Sequence, residues 1–125
     1  MSTPHEVDIA VVTQYIAEQS EPDNERYVFA YTITISNKGV HTCQLLRRHW
    51  LITDAAGEVE EVRGEGVIGQ QPLLNSGESF EYTSGAVLKT PVGAMHGSYQ
   101  FTTEDGQLFD VEIPAFSLSL PNLVH

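Results

Sequence analysis

Between Tyr27 and Asn37 apolar and polar side chains alternate without a break, with Tyr27, Phe29, Tyr31, Ile33 and Ile35 on one face and Val28, Ala30, Thr32, Thr34 and Ser36 on the other. A period of two is the pattern of a strand buried on one side. The alternation returns in Val7–Tyr15, Leu45–Thr53, Glu58–Arg63, Phe80–Leu88, Ser98–Thr103 and Leu108–Ile113, with a shorter one in Phe116, Leu118 and Leu120. Seven strands and a candidate eighth are predicted. They are separated by Asn37-Lys38-Gly39, Asp54-Ala55-Ala56-Gly57, Asn75-Ser76-Gly77 and Glu104-Asp105-Gly106. Each group supplies a residue that accepts positive φ, as tight turns require. No window of a dozen residues spaces apolar side chains at i, i+3, i+4 and i+7, so no helix is expected.

Short strands roughly ten residues apart predict an all-β chain folded as a two-sheet antiparallel β-sandwich, immunoglobulin-like or fibronectin type III-like, with a closed barrel as runner-up. The period-two faces place Trp50, Phe29, Tyr31, Ile33, Ile35, Phe80, Tyr82, Tyr99 and Phe101 in the core between the sheets. Cys43 is the one cysteine. An inter-sheet disulfide is therefore impossible, and Trp50 must pack against aliphatic and aromatic neighbours, as a core anchor rather than a stacking platform. A polar, proline-containing loop spans Glu18–Glu25. The length of 125 residues suits a single domain over 1–125 with an ordinary hydrophobic core.

Charge narrows the function. Six Lys and Arg stand against 17 Asp and Glu, a net charge of −11. That is the wrong sign for a protein that holds a phosphate backbone, so nucleic acid is not an expected partner. With 41% hydrophobic and 18% charged residues the chain is neither a disordered acidic tail nor a membrane protein. Met1–Glu6 carries no basic region followed by an apolar stretch, so no secretory signal is visible and a cytoplasmic location is expected. Cys43, at the start of an apolar run, reads as a small buried hydrophobe rather than a nucleophile.

The most motif-like feature is Gly64-Glu65-Gly66-Val67-Ile68-Gly69, a literal G-x-G-x-x-G. In a dinucleotide fold such glycines open a helix whose N-terminus holds pyrophosphate. Here Gln70-Gln71-Pro72 and Asn75-Ser76-Gly77 follow where a helix would be needed, and no Gly-Lys-Ser or Gly-Lys-Thr exists for a Walker loop. Two readings of the glycines remain. They are backbone geometry between strands, or they form a small anion nest of successive N–H groups. If the Asp54–Gly57 turn closes a hairpin with Thr53 near Glu58, Arg48 falls opposite Arg63 and Arg47 opposite Gly64, within one residue of register. Three of the six basic residues would then converge on Gly64, Gly66 and Gly69 as a site for pyrophosphate or a nucleotide polyphosphate. Like charges facing each other need neutralising, and Glu58, Glu60, Glu61 and Glu65 could do so without a ligand. Both accounts stand at this level.

Other chemistry finds little support. Ser84 and Ser76 precede glycines at expected turns or strand irregularities, with no Gly-x-Ser-x-Gly elbow. His5, His41, His49, His96 and His125 have no ligand spacing, and the Glu58–Glu61 run on an alternating strand is a solvated face. No catalytic residue, metal site or cofactor is assigned.

Arg48-His49-Trp50, Ile52 and Asp54 with Gly57, Val62 through Pro72 across the glycine motif, Phe80-Glu81-Tyr82-Thr83-Ser84-Gly85 and Gly93-Ala94-Met95-His96-Gly97-Ser98-Tyr99 together resemble the pattern of the ApaG family. The likeness covers nearly the whole chain, with conservative departures such as Ile68 before Gly69. It implies a fibronectin type III-like sandwich. It also implies a small cytoplasmic protein whose family name derives from links to dinucleoside tetraphosphate hydrolase operons, cobalt resistance and magnesium efflux. Similar domains in eukaryotic F-box and polymerase-interacting proteins imply a protein-binding role, and the resemblance carries over no catalytic residues. The expectation is a non-enzymatic module for an unknown protein partner, with anion binding at the glycine loop as the alternative.

Overall fold

The computed structural model describes residues 6–121. Eight strands follow one another as β1 (Val7–Tyr15), β2 (Tyr27–Asn37), β3 (Cys43–Asp54), β4 (Val59–Glu65), β5 (Leu73–Leu74), β6 (Ser79–Leu88), β7 (Val92–Thr103) and β8 (Leu108–Ser119). They form two antiparallel sheets, β1-β2-β6 and β4-β3-β7-β8, with β5 pairing the start of β3. This is the expected sandwich and not a barrel. The Glu18–Glu25 loop holds two single 3-10 turns, Ala17–Gln19 and Pro22–Asn24. Met1–His5 and His125 lie outside the described residues.

The strand count is eight for a different reason than the sequence suggests. The Phe116, Leu118, Leu120 alternation begins inside β8, which changes parity where its register shifts between Met95↔Phe116 and Gly97↔Ile113. Pro114 and Ala115 sit in that bulge, so Ile113 and Leu118 both turn inward. The additional strand is the two-residue β5. β7 begins six residues before Ser98, because Gly93 and Gly97 interrupt the apolar pattern without interrupting the ladder. A Cβ on Gly97 would run into the carbonyl oxygen of His49, so close approach to β3 demands glycine there. Ser84 lies in the unbroken register of β2 with β6, not at a turn or irregularity.

The core follows the alternation. Phe29, Tyr31, Ile33 and Ile35 of β2 face Leu45, Trp50, Met95, Tyr99 and Phe101 of the second sheet, all buried, while Phe80 is half-buried at the margin. Trp50 is the hub. Its ring meets Tyr31 at 5.5 Å, Phe116 at 5.9 Å and Tyr99 at 6.2 Å, each edge to face, the arrangement aromatic quadrupoles favour. The hydroxyls of Tyr82 and Tyr99 hydrogen-bond to each other inside this core, which satisfies two polar atoms that each sheet alone would strand. Asn37 is the buried polar residue of the first turn. It donates to the carbonyls of His41 (2.8 Å) and Leu74 (3.0 Å) and accepts from Gly39 N–H (2.9 Å), closing the crossing between the sheets.

Candidate functional site

The arginines and glycines meet along β3, which has its own parity change. The register with β7 shifts between Leu45 and Arg47. Cys43 and Leu45 point inward before the shift, and Trp50 does so after it. Arg48 therefore shares the inward side with Trp50, while Arg47 and His49 point outward.

Across the β3–β4 hairpin the observed partners are Thr53↔Val59, His49↔Arg63, Arg48↔Gly64 and Arg47↔Glu65. This corrects the register that paired Thr53 with Glu58 and Arg48 with Arg63. The Asp54–Gly57 turn is one residue longer than that count, closed by Asp54 N–H to the Glu58 carbonyl at 3.0 Å, with Asp54 Oδ1 accepting from Ala56 and Glu58. A one-residue slip moves every side chain to the other face. Arg48 and Arg63 consequently sit on opposite sides of the sheet and do not repel each other.

Arg48 lies over Gly64, where a Cβ would come within 2.7 Å of its guanidinium. Its Nη1 donates to the carbonyls of Glu65 (3.0 Å) and Gly66 (2.9 Å). Gly66 N–H is given to the Leu46 carbonyl at 2.7 Å, and Val67 and Gln70 exchange both backbone bonds at 2.8 and 2.9 Å. Gly66 (φ +64°) and the tip residues Ile68 (φ +43°) and Gly69 (φ +77°) all have left-handed backbones. Positive φ at both tip positions is the pattern of a type I′ turn. The glycine motif is thus a two-residue hairpin whose inner amides and carbonyls are satisfied by the protein itself. Val67 is buried beneath it and Ile68 stands out, 55% exposed.

Outside the sheet, Arg47, Arg63 and Gly64 border an open concavity of about 530 Å³ with His49, Gln100 and Asp110. Arg48 also lines it, whereas Gly66 and Gly69 do not. Glu61 accepts from His49 (2.6 Å) and from Arg63 (2.9 Å) through one oxygen. The hydrogen bond from His49, and then Arg63, hold the Glu61 carboxyl below its ordinary value. Burial pushes the Cys43 thiol up, away from a thiolate. Among the described residues no three His, Cys, Asp or Glu side chains come together as a metal site.

Sequence reasoning missed the Arg48 clip, because its acceptors are carbonyls that no residue type advertises. It also missed the strain at Ile68, for which the only available signal is Ile-Gly at the centre of a hairpin, where Asn-Gly is the ordinary choice.

Comparison with known proteins adds to this geometry. The ApaG domain family model matches residues 17–103. A Protein ApaG from Thiobacillus denitrificans is 59% identical over 121 residues, covering 97% of this chain and 95% of that one. One from Pseudomonas putida is 56% identical over 126 residues, covering all of both. A crystal structure of an ApaA protein from Bordetella pertussis superposes with TM-score 0.93 at 50% identity, covering 95% of this chain and 97% of that one.

Proposed function

Because the chain belongs to the ApaG family, and from the geometry above, we propose that it is a non-enzymatic module that binds a protein partner through the tip of its glycine hairpin. The observation that carries this reading is Ile68. A β-branched side chain in the left-handed region costs about 1 to 3 kcal/mol, and this one is also held largely in water. Asn or Gly would relax the backbone, and neither packing nor the turn calls for isoleucine. An apolar knob held at such a cost fits an anchor for a pocket on another protein. The cytoplasmic location and the links to cobalt resistance and magnesium efflux implied by the family resemblance fit an adaptor of this kind.

Ile68→Asn tests it with two readouts of opposite sign. The melting temperature should rise by several degrees as strain is relieved, while capture of partners from cell lysate by the immobilised domain should fall. Unchanged capture by a more stable variant would overturn the reading. Hydrolysis of diadenosine polyphosphate above a denatured-protein blank would overturn its non-enzymatic part.

A second reading keeps the anion. Arg47 has no partner among the described residues and shares the outer concavity with Arg63 and Gly64. Pyrophosphate there would raise the melting temperature at low salt and lose that effect in Arg47→Ala. Equal melting curves with and without millimolar pyrophosphate would remove it.

A further inference from the structure

The four strand edges of the sandwich are not equally protected. β4 carries Glu60, Glu61, Arg63 and Glu65, and β8 carries Asp110, Glu112 and the Pro114 bulge, the devices that discourage pairing at an edge. β1 lies against β8. β6 has ten residues in unbroken register with β2, no proline, and Glu81 as its one charged side chain. Its far edge is unpaired. Alternate N–H and C=O groups of an antiparallel edge strand point away from its neighbour and are free to accept another strand.

Beside that edge the two sheets part. Concavities of about 330 and 390 Å³ share Ile52, Glu60 and Val87 and so form one trough between β6 and β4. Tyr31, Trp50 and Val62 border its inner part, and Ser84–Val87 of β6 form one wall. Asp54, Glu58 and Glu60 line the other side towards its outer end, where Lys89 is the one cation. The Glu58 and Glu60 carboxylates have no hydrogen-bond or ionic partner among the described residues, and Arg48, the other cation of the trough, is committed to the carbonyls of Glu65 and Gly66.

Gly85 is a separate observation. It sits in the middle of β6, exposed, where glycine weakens a strand. A Cβ there would meet only the Phe29 carbonyl at 3.4 Å, an ordinary contact, so the fold does not require glycine. A glycine that the strand itself does not need fits the close approach of another backbone.

We propose that the free edge of β6 and the acidic trough beside it dock an extended basic segment of a partner protein, added as a fourth strand to the three-stranded sheet. Main-chain bonds to β6 would hold the segment. Its inward side chains would alternate between an apolar residue over Trp50 and Val62 and a Lys or Arg reaching Glu60. A second copy of this chain is the less suitable occupant, because pairing β6 with β6 would bring together two acidic troughs on chains that each carry −11. This inference rests on the reading of the domain as a protein-binding module and specifies the partner's chemistry.

The test titrates the full-length, isotope-labelled protein with a capped nine-residue peptide whose odd positions carry valine and lysine in turn and whose even positions carry threonine, so that valine and lysine share one face, and in parallel with one that has glutamate in place of each lysine. The lysine peptide should shift and protect alternate amides within residues 79–88, and the glutamate peptide should bind at least tenfold more weakly. Glu60→Lys should weaken the lysine peptide about tenfold with an unchanged melting curve, since Glu60 is exposed and unpaired. Ile68→Asn should bind the peptide as the unmodified protein does. Shifts confined to β1 or β8, equal affinity for both peptides, no binding at millimolar peptide, or dimerisation through β6 without peptide would each overturn the proposal. Peptide failure combined with Ile68-dependent capture would sink the trough alone and leave the module reading intact.

Discussion

Arg48 and Arg63 are one register step apart on neighbouring strands, yet the two faces of the sheet use them differently. Arg48, on the inward side, donates to two backbone carbonyls and fixes the hairpin that follows β4. Arg63, 71% exposed on the outward side, shares the Glu61 carboxylate with His49. The first is scaffold and the second is solvated surface. Residue type does not distinguish them; parity does, and parity is set by a bulge and a turn length. If the inward face holds the fold, substitutions there should cost far more than substitutions on the outward face.

The largest effect is expected at the inward hub. Trp50→Ala removes a side chain packed against Tyr31, Tyr99 and Phe116 and should cost about 3 to 5 kcal/mol. Leu51→Ala, one residue on and facing outward, should cost well under half of that in the same denaturant titration. Similar losses for both would end the distinction between the faces.

Next come the two buried tyrosines. Burial pushes the Tyr82 hydroxyl up to about 12 and moves Tyr99 in the same direction. A folded-state value raised above the unfolded one of 10.0 means that the unfolded chain loses its protons first. The contribution is complete below pH 10 and is lost as the pH rises towards 12, at about 2 to 3 kcal/mol for Tyr82 alone. Unfolding measured across that window should show the fall, and the double variant Tyr82→Phe with Tyr99→Phe should flatten it. An equally steep fall in the double variant would place the alkaline sensitivity elsewhere.

Arg48→Ala should cost about 1 to 2 kcal/mol by freeing the Glu65 and Gly66 carbonyls, and should speed amide exchange at Val67 and Gln70. Gly64→Ala inserts a methyl where the guanidinium lies and should produce the same loosening. If the clip is the shared cause, the double variant should be little worse than either single one. Additive losses would show that Gly64 acts independently of Arg48.

How much of this was legible in the sequence depends on what carried the signal. Alternation in β1, β2 and β6 gave their positions and faces, because those strands keep one parity throughout. It gave Trp50 as a core residue although β3 changes parity, because the alternation runs unbroken from Arg47 to Thr53 after the shift. In β7 the glycines at 93 and 97 hid six residues of strand, since close backbone approach removes the side chains on which pattern reading depends. In β3 the extra residue in the Asp54–Gly57 turn left the Arg48 partner one place wrong. Of the candidate anion residues, Arg47, Arg48, Arg63 and Gly64 line one outer concavity, with the Arg48 guanidinium given to the Glu65 and Gly66 carbonyls. Gly66 and Gly69 serve the hairpin instead, with φ values no composition reveals.

The smallest effect belongs to the outward pair and sharpens the contrast with Tyr82. Hydrogen bonds from His49 and then Arg63 hold Glu61 below its ordinary value of 4.5, a shift opposite in direction to that of the buried hydroxyl. A depressed folded value means that the unfolded carboxylate takes its proton first on acidification. The contribution is therefore present above pH 4.5 and fades as the pH falls through the folded value. Because the group is exposed, salt should screen it, so the carboxyl titration followed by NMR should move back towards 4.5 between low salt and 1 M. Glu61→Gln should leave the melting curve at neutral pH within about 2 °C of the unmodified protein. A large destabilisation by Glu61→Gln, or a titration that ignores salt, would mean that the outer face is built into the fold as firmly as the Arg48 clip.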